Sequence, residues 1–145
     1  AYLEPPLRFE AGTQNMEGIL GLKAAIDYIS KLGMDNIEVY ERSLKEYAVT
    51  ELEKTGNAIL YNAKSEAGIV TFNIKDVFAQ DAATFLNSRG IACRSGQHCA
   101  KILIDFLKTV ATVRASFYFY TTKEDIDQLV DAVRHGKEFL DAYFN

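Results

Sequence analysis

The sequence predicts an α+β fold in which helices pack on a small, largely antiparallel sheet. Apolar residues recur at helical spacing near both ends of the chain. Two β-rich runs in the middle are separated only by a short polar turn, and another β-rich run precedes the last helical segment. Helices at both ends of such a sheet are typical of an α+β sandwich.

The composition is that of one ordinary globular domain. The chain has 145 residues, 48% of them hydrophobic and 25% charged. A chain of this size buries roughly two-thirds of the surface that its unfolded form exposes. The net charge of −4 argues against general electrostatic binding to nucleic acid. No run of about 20 apolar residues predicts a membrane span. We therefore expect a cytoplasmic protein with neither a nucleic-acid nor a membrane partner.

Two helices are expected in the first part of the chain. Residues 12–15 supply breaker and cap chemistry for the first helix, and Gly33 ends it. Asp35 followed by Glu38 has the form of a capping box and predicts a second helix, which ends near Gly56. The apolar positions of the first helix are Ile19, Leu22, Ile26 and Ile29. Those of the second are Ile37, Tyr40, Leu44, Tyr47 and Leu52.

The middle of the chain predicts strands. Residues 58–61 and 68–74 are β-rich and are joined by a polar turn, which favours an antiparallel pair. A short helix ends at Gly90, and residues 91–94 are then expected to form a buried strand. Residues 113–120 are the clearest β-rich run of the chain.

Thr122 and Asp125 again have the form of a capping box and predict the start of the last helix. The spacing of its apolar residues predicts one inner face. That face consists of Ile126, Leu129, Val130, Val133 and Leu140.

The segment most suited to catalysis or ligand binding contains a cysteine beside a histidine. Cys99 follows His98 in a loop that leaves a predicted strand through Ser95 and Gly96, so a ligand can reach its thiol. The thiolate is the nucleophilic form, and nearby positive charge lowers the pKa of a thiol. His98 and Arg94 are candidates for that role. The alternative for Cys99 is a small packed residue without chemistry.

The other cysteine, Cys93, lies in an apolar run and is expected to be a buried core thiol. A zinc site is not expected, because it needs four ligands and the only histidine besides His98 is His135 in the last helix. A Cys93–Cys99 disulfide acting as a redox switch stays open as an alternative.

Two further residues have two interpretations each. Arg114 lies among apolar neighbours, so it needs an anionic partner, which is either a protein carboxylate or a substrate carboxylate. Thr13 precedes a helix and is interpreted first as its N-cap. Its hydroxyl and the neighbouring backbone N–H groups are alternatively suited to a phosphate.

Three motifs of the chain are RFEAGT at 8–13, RSGQHCA at 94–100 and RAS at 114–116. Together and in this order they resemble motifs of Suf-type (group II) cysteine desulfurases, a branch of the class V aminotransferase-like enzymes that use pyridoxal phosphate (PLP). The chain resembles the C-terminal part of these enzymes over essentially its whole length. The resemblance implies the C-terminal small domain of fold-type I PLP-dependent transferases. It identifies residues 1–145 as a single C-terminal domain fragment, in which residues 1–14 are a lead-in segment that contacts the cofactor and the dimer interface of the parent enzyme.

The resemblance also implies roles for individual residues. Cys99 becomes the catalytic nucleophile that accepts sulfur, Arg114 binds the substrate carboxylate, and Thr13 reaches the PLP phosphate of the neighbouring subunit in a homodimer. L-cysteine is converted to L-alanine and a persulfide on Cys99. A sulfur-acceptor protein then takes the sulfur for iron–sulfur cluster assembly.

The chain departs from the family pattern in several places. Gln97 stands where a histidine is common, and Lys101–Ile102 replaces a turn that usually contains proline. The family's Schiff-base lysine motif and the aspartate that pairs the pyridine nitrogen have no counterpart. We therefore expect these residues alone to be inactive and not to bind PLP covalently. The alternatives are a free-standing sulfur-carrier or thiol-regulatory module, and a relative that acts on selenocysteine.

Overall fold

The computed structural model confirms the α+β fold and describes residues 2–138. The chain forms two compact units, one up to Asn36 and one from Ile37 onward. After a 3-10 helix at Leu7–Phe9, the elements are α1 (Met16–Leu32), α2 (Met34–Lys54), β1 (Ala58–Leu60), β2 (Ile69–Ile74), α3 (Ala79–Ser88), β3 (Arg94–Gly96), α4 (Lys101–Phe106), β4 (Thr112–Ser116) and α5 (Lys123–Arg134). None of the helices within residues 2–138 has both the length and the apolar character that a bilayer span requires.

Helix α1 begins and ends as predicted, but its cap differs. The side chain of Asn15 accepts a hydrogen bond from the backbone N–H of Gly18, and Gly33 ends the helix with φ of 85°. The interpretation of Thr13 as the N-cap is therefore wrong, because Asn15 lies directly before the first helical residue and satisfies the free N–H. No residue of α1 is buried.

Helix α2 starts two residues earlier than the capping box at Asp35 predicts, since an N-cap at Asp35 would make Asn36 the first helical residue. Because Met34 is already helical, Asp35 lies in the first turn and not at the N-cap position. The core-facing residues of α2 include three of the predicted ones, Ile37, Leu44 and Leu52.

Lys45 is an unpredicted member of this buried face, with only 2% of its surface exposed. Its ammonium group donates to the Ser65 hydroxyl at 2.9 Å and to the Ile69 carbonyl at 2.7 Å. Burial lowers the pKa of Lys45. These bonds attach the connection between β1 and β2 to helix α2.

The four strands form one antiparallel sheet in the order β1-β2-β4-β3. The predicted β1–β2 pair is confirmed. Along β2, buried Val70, Phe72 and Ile74 alternate with half-buried residues. The buried face joins residues of α2, α3 and α5 in one hydrophobic core. The other face, called the open face below, carries polar side chains beside α4.

Two strand predictions need correction. The third strand is Arg94–Gly96 and not residues 91–94, because the backbone N–H of Ile91 bonds to Leu86 O at the end of α3 instead of joining a ladder. The strand predicted over 113–120 ends at Ser116. Beyond it the chain turns, with the N–H of Thr121 bonded to the carbonyl of Tyr118.

Helix α5 carries the predicted capping box between Thr122 and Asp125. The predicted inner residues Ile126, Leu129, Val130 and Val133 are buried. The fifth, Leu140, lies outside the described residues. The short helix α4 was not predicted from the sequence.

Candidate active site

Two arginines meet on the open face of the sheet. Arg94 on β3 lies directly opposite Arg114 on β4, and Thr71 on β2 pairs with Arg114 from the other side. Directly opposite residues of neighbouring strands share a face, so the three side chains lie in one row. Placing two like charges opposite each other is unfavourable unless an anion lies between them.

Arg114 has no acidic partner in the protein. Its Nε is buried and makes no hydrogen bond. Neither Arg94 nor Arg114 takes part in any ion pair within residues 2–138. Of the two partners considered for Arg114, a protein carboxylate is not found in the described part of the chain. A buried guanidinium N–H without an acceptor suits a carboxylate ligand.

Cys99 occupies a strained turn between β3 and α4. The backbone N–H of Ala100 donates to the carbonyl of Gln97 at 2.9 Å. The two central residues have positive φ, 54° at His98 and 57° at Cys99. This is the pattern of a type I′ turn, whose central positions favour asparagine and glycine. The thiol sits where backbone energetics alone would select glycine.

The ring of His98 is attached to strand β4. Its Nε2 lies 3.1 Å from the carbonyl oxygen of Thr112 and 3.1 Å from the Thr112 hydroxyl oxygen. A carbonyl only accepts hydrogen bonds, so the contact with the Thr112 carbonyl is a hydrogen bond when Nε2 carries the proton. Nδ1 is then an acceptor, and it is buried without a partner.

The electrostatic environment favours a neutral His98. Burial lowers its pKa most, and the positive charges of Arg114 and Arg94 lower it further, against the opposing effect of the bond to Thr112. A neutral imidazole carries no charge to stabilise a thiolate. Arg94 is the remaining source of positive charge among the two predicted candidates.

A cavity of about 280 Å³ lies between the open face and α4. Its walls combine polar groups of the sheet with apolar side chains of and after α4, and they include Thr71, His98, Ala100, Ile104, Thr112 and Arg114. Cys99 lies between two wall residues and is exposed, with a free thiol. The cavity therefore presents the guanidinium of Arg114 beside the segment that carries the accessible sulfur.

Cys93 has a different environment. It is half-buried, packs against the hydrophobic core and borders a separate cavity of about 220 Å³ with Ala115, Phe117 and Leu129. Burial raises the pKa of its thiol to about 11. Cys93 thus packs against the core, but it is half-buried instead of buried as predicted, and it precedes β3 instead of lying within a strand. Both cysteines are free thiols, so the disulfide is not formed.

The remaining residues considered from the sequence are Thr13 and His135. Thr13, in the first unit, is exposed and its hydroxyl makes no hydrogen bond, while Gly12 before it has φ of 77° and open space around its Cα. His135 contacts the Asp131 carbonyl through Nδ1 at 2.9 Å, at the end of α5. Among the residues that the structure describes, no group of three or more potential ligands could hold a metal ion.

Sequence reasoning missed Thr112 and Thr71. The signal for Thr112 was its alternation with Arg114 on one strand, which places both on the same face. Nothing local to Thr71 indicated that its strand would pair with that of Arg114.

Comparison with known proteins identifies the family. The model of the aminotransferase class-V family matches residues 1–129. The chain belongs to the class-V aminotransferase family. One curated relative is a probable cysteine desulfurase from Halalkalibacterium halodurans, which is 45% identical over 141 residues. The match covers 97% of this chain and 35% of the relative. A cysteine desulfurase from Enterobacter sp. (strain 638) is 44% identical, over 96% of this chain and 34% of its own length. The class-V chain thus spans about a third of the length of these relatives.

Solved structures agree with the fold of this class-V chain. The apo cysteine desulfurase of Thermococcus onnurineus NA1 is 37% identical, with a TM-score of 0.86 over 92% of this chain and 34% of that chain. The cysteine desulfurase CsdA (S-sulfonic acid) of Escherichia coli is 36% identical, with a TM-score of 0.85 over 92% of this chain and 33% of that chain. In both structures the match covers about a third of the longer protein.

Proposed function

We propose that this chain is the sulfur-accepting, C-terminal part of a PLP-dependent cysteine desulfurase. One observation carries the proposal: an exposed Cys99 adjoins a cavity in which Arg114 has a buried, unpartnered Nε and no acidic partner within the described residues. A nucleophile and an anion-binding group are the two functions that this part of such an enzyme has to supply. The cysteine desulfurases at 36–45% identity support the same activity.

The substrate in this proposal is L-cysteine. Its carboxylate accepts hydrogen bonds from the planar fork of Arg114, including the Nε–H that has no partner in the protein. The half-buried position of Arg114 protects this charge pair from solvent and strengthens it. Apolar residues of α4 on the opposite wall reduce access of water.

The fit of this chain to the cofactor is partial. The Thr13 hydroxyl is exposed and unengaged, and with the open backbone at Gly12 it suits a phosphate. No lysine here stands in the family's Schiff-base motif, so covalent attachment falls to another part of the protein. When bound, PLP supplies an electron sink for the electron pair of a breaking substrate bond.

Cys99 performs the sulfur transfer. Its thiolate attacks the sulfur of L-cysteine, a bond forms between the two sulfur atoms, and the carbon–sulfur bond of the substrate breaks. Cys99 becomes a persulfide that keeps the thiol hydrogen. The released electron pair and one proton end on the substrate β-carbon, which gives L-alanine. Arg94, on the strand that leads into this turn, is the remaining cationic candidate for assisting Cys99.

The finer assignments follow the motif resemblance. The order of the RFEAGT, RSGQHCA and RAS segments supports the Suf-type (group II) branch, a homodimer in which Thr13 serves the neighbouring subunit, and a cytoplasmic location. A sulfur-acceptor protein would take sulfur from Cys99 for iron–sulfur cluster assembly. Selenocysteine is a second substrate of the same chemistry. The 145 residues alone should not turn over L-cysteine.

The proposal is tested on the full-length protein. It is incubated with PLP and L-cysteine without reductant, alanine is quantified, and the Cys99 and Cys93 peptides are examined by mass spectrometry. We expect alanine and a persulfide on Cys99 only. Cys99→Ser should abolish turnover while PLP binding persists, and the matched Cys93→Ala variant should stay active. Retained turnover in Cys99→Ser defeats the role assigned to this residue.

A free-standing sulfur carrier is the second candidate, and the exposure of Cys99 is the observation that favours it. A carrier would acquire a persulfide on Cys99 only when a separate desulfurase supplies the sulfur. If the full-length protein makes no alanine but accepts sulfur efficiently from a foreign desulfurase, the carrier function replaces the enzymatic one.

A further inference from the structure

The side chain of His98 anchors the turn that carries Cys99. Its Nε2 contacts both the carbonyl and the hydroxyl of Thr112 at 3.1 Å. Thr112 is fully buried in β4, which has strands on both sides. The imidazole thus connects an exposed turn to an inner strand of the sheet.

The turn requires an anchor because its backbone is unfavourable. A left-handed conformation costs a non-glycine residue roughly 1–2 kcal/mol, and two consecutive residues adopt it here. One backbone hydrogen bond, from Ala100 to Gln97, closes the turn. Among residues 97–100, only His98 makes a side-chain hydrogen bond.

We propose that His98 is a positioning residue, whose Nε2–H bond to the Thr112 carbonyl holds the turn and so keeps the Cys99 thiol exposed beside the Arg114 cavity. This inference rests on the proposed function, in which Cys99 takes sulfur from a substrate bound by Arg114. It gives His98 a mechanical role through Thr112 instead of a charge that acts on the thiol. The neutral state favoured by its surroundings agrees with such a role, because a neutral ring is sufficient to donate this bond.

The first test needs no variant. The imidazole ¹⁵N chemical shifts of His98 in the full-length protein report which ring nitrogen carries the proton. We expect a neutral ring at pH 7 with the proton on Nε2 and in slow exchange with water. A proton on Nδ1, or an Nε2 proton that exchanges as fast as that of free imidazole, would overturn the proposal.

The second test compares two amides at position 98. A glutamine amide nitrogen reaches the region of Nε2, whereas the shorter asparagine places its nitrogen near Nδ1. Asparagine, however, tolerates a left-handed backbone better. If the anchor matters, His98→Gln should keep kcat within about threefold, and His98→Asn should lower it about tenfold to a hundredfold at unchanged KM. Equal kcat values in both variants, or the reverse order, contradict the proposal.

Hydrogen exchange gives a readout independent of catalysis. The Ala100 amide closes the turn, so it should exchange at least about tenfold faster in His98→Asn, while the amides of β2 keep their protection. His98→Gln should leave the Ala100 amide protected. Unchanged protection in His98→Asn would refute the anchor. Active Cys99→Ser would defeat the proposed function instead, and the ring and exchange measurements on His98 would still decide the anchoring role.

Discussion

The two cysteines stand six positions apart in the sequence and differ in nearly every physical respect. Cys93 is half-buried against the core, and burial raises the pKa of its thiol to about 11. Cys99 is exposed in a turn with positive φ next to the cavity that holds Arg114. The comparison teaches that the reactivity of a thiol follows from its access to solvent and the charges around it, not from its residue type.

Alkylation rates test this contrast most directly. At pH 8 a thiol with a pKa of about 11 is ionised to roughly one part in a thousand, and iodoacetamide reacts with the thiolate. We expect Cys99 to react at least about a hundredfold faster than Cys93 in the native protein, as measured by peptide mass spectrometry. Raising the pH toward 11 should accelerate Cys93 selectively. In denaturant both cysteines should react at the same rate. Equal rates in the native protein would contradict the predicted difference in thiol reactivity.

Removal of Arg114 tests whether the environment of Cys99 is a substrate site. Arg114→Ala should raise KM for L-cysteine by roughly 5- to 150-fold, the equivalent of about 1–3 kcal/mol for lost charge-assisted hydrogen bonds. Arg114→Lys keeps the charge but loses the planar fork, so its KM should lie between those of the wild type and Arg114→Ala. Cys93→Ala serves as the control, with KM unchanged. An Arg114→Ala protein with the KM of the wild type would contradict substrate binding by this residue.

Glycine substitution tests the backbone difference and has the smallest expected effect. At position 99 the backbone is left-handed, and glycine adopts this conformation without the steric cost that a Cβ atom causes. Cys99→Gly should therefore be more stable than Cys99→Ala by about 0.5–1 kcal/mol. At position 93, where φ is not positive, the order should reverse. Urea unfolding of the four variants measures both differences. The same sign at both positions would show that the turn is not strained.

Much of the fold followed from local patterns. The boundaries of α1, the pairing of β1 with β2 and the capping box of α5 were predicted because breaker residues, alternation and Thr-x-x-Asp spacing act over a few positions. The early start of α2 and the early end of β4 were missed. Both depend on hydrogen bonds at the ends of these elements, where neighbouring conformations differ little in free energy.

By itself, the sequence determined the α+β class. It also identified candidate functional residues, which are Cys99, His98, Arg94 and Arg114. Only the tertiary structure decided that Arg94 faces Arg114 and that the ring of His98 reaches Thr112. It also decided between the two partners considered for Arg114, because no protein carboxylate pairs with it among residues 2–138. The physical reason is strand register. A shift of one residue would turn Arg114 to the core face, and register is set by packing and hydrogen bonding across the sheet, between residues far apart in the chain.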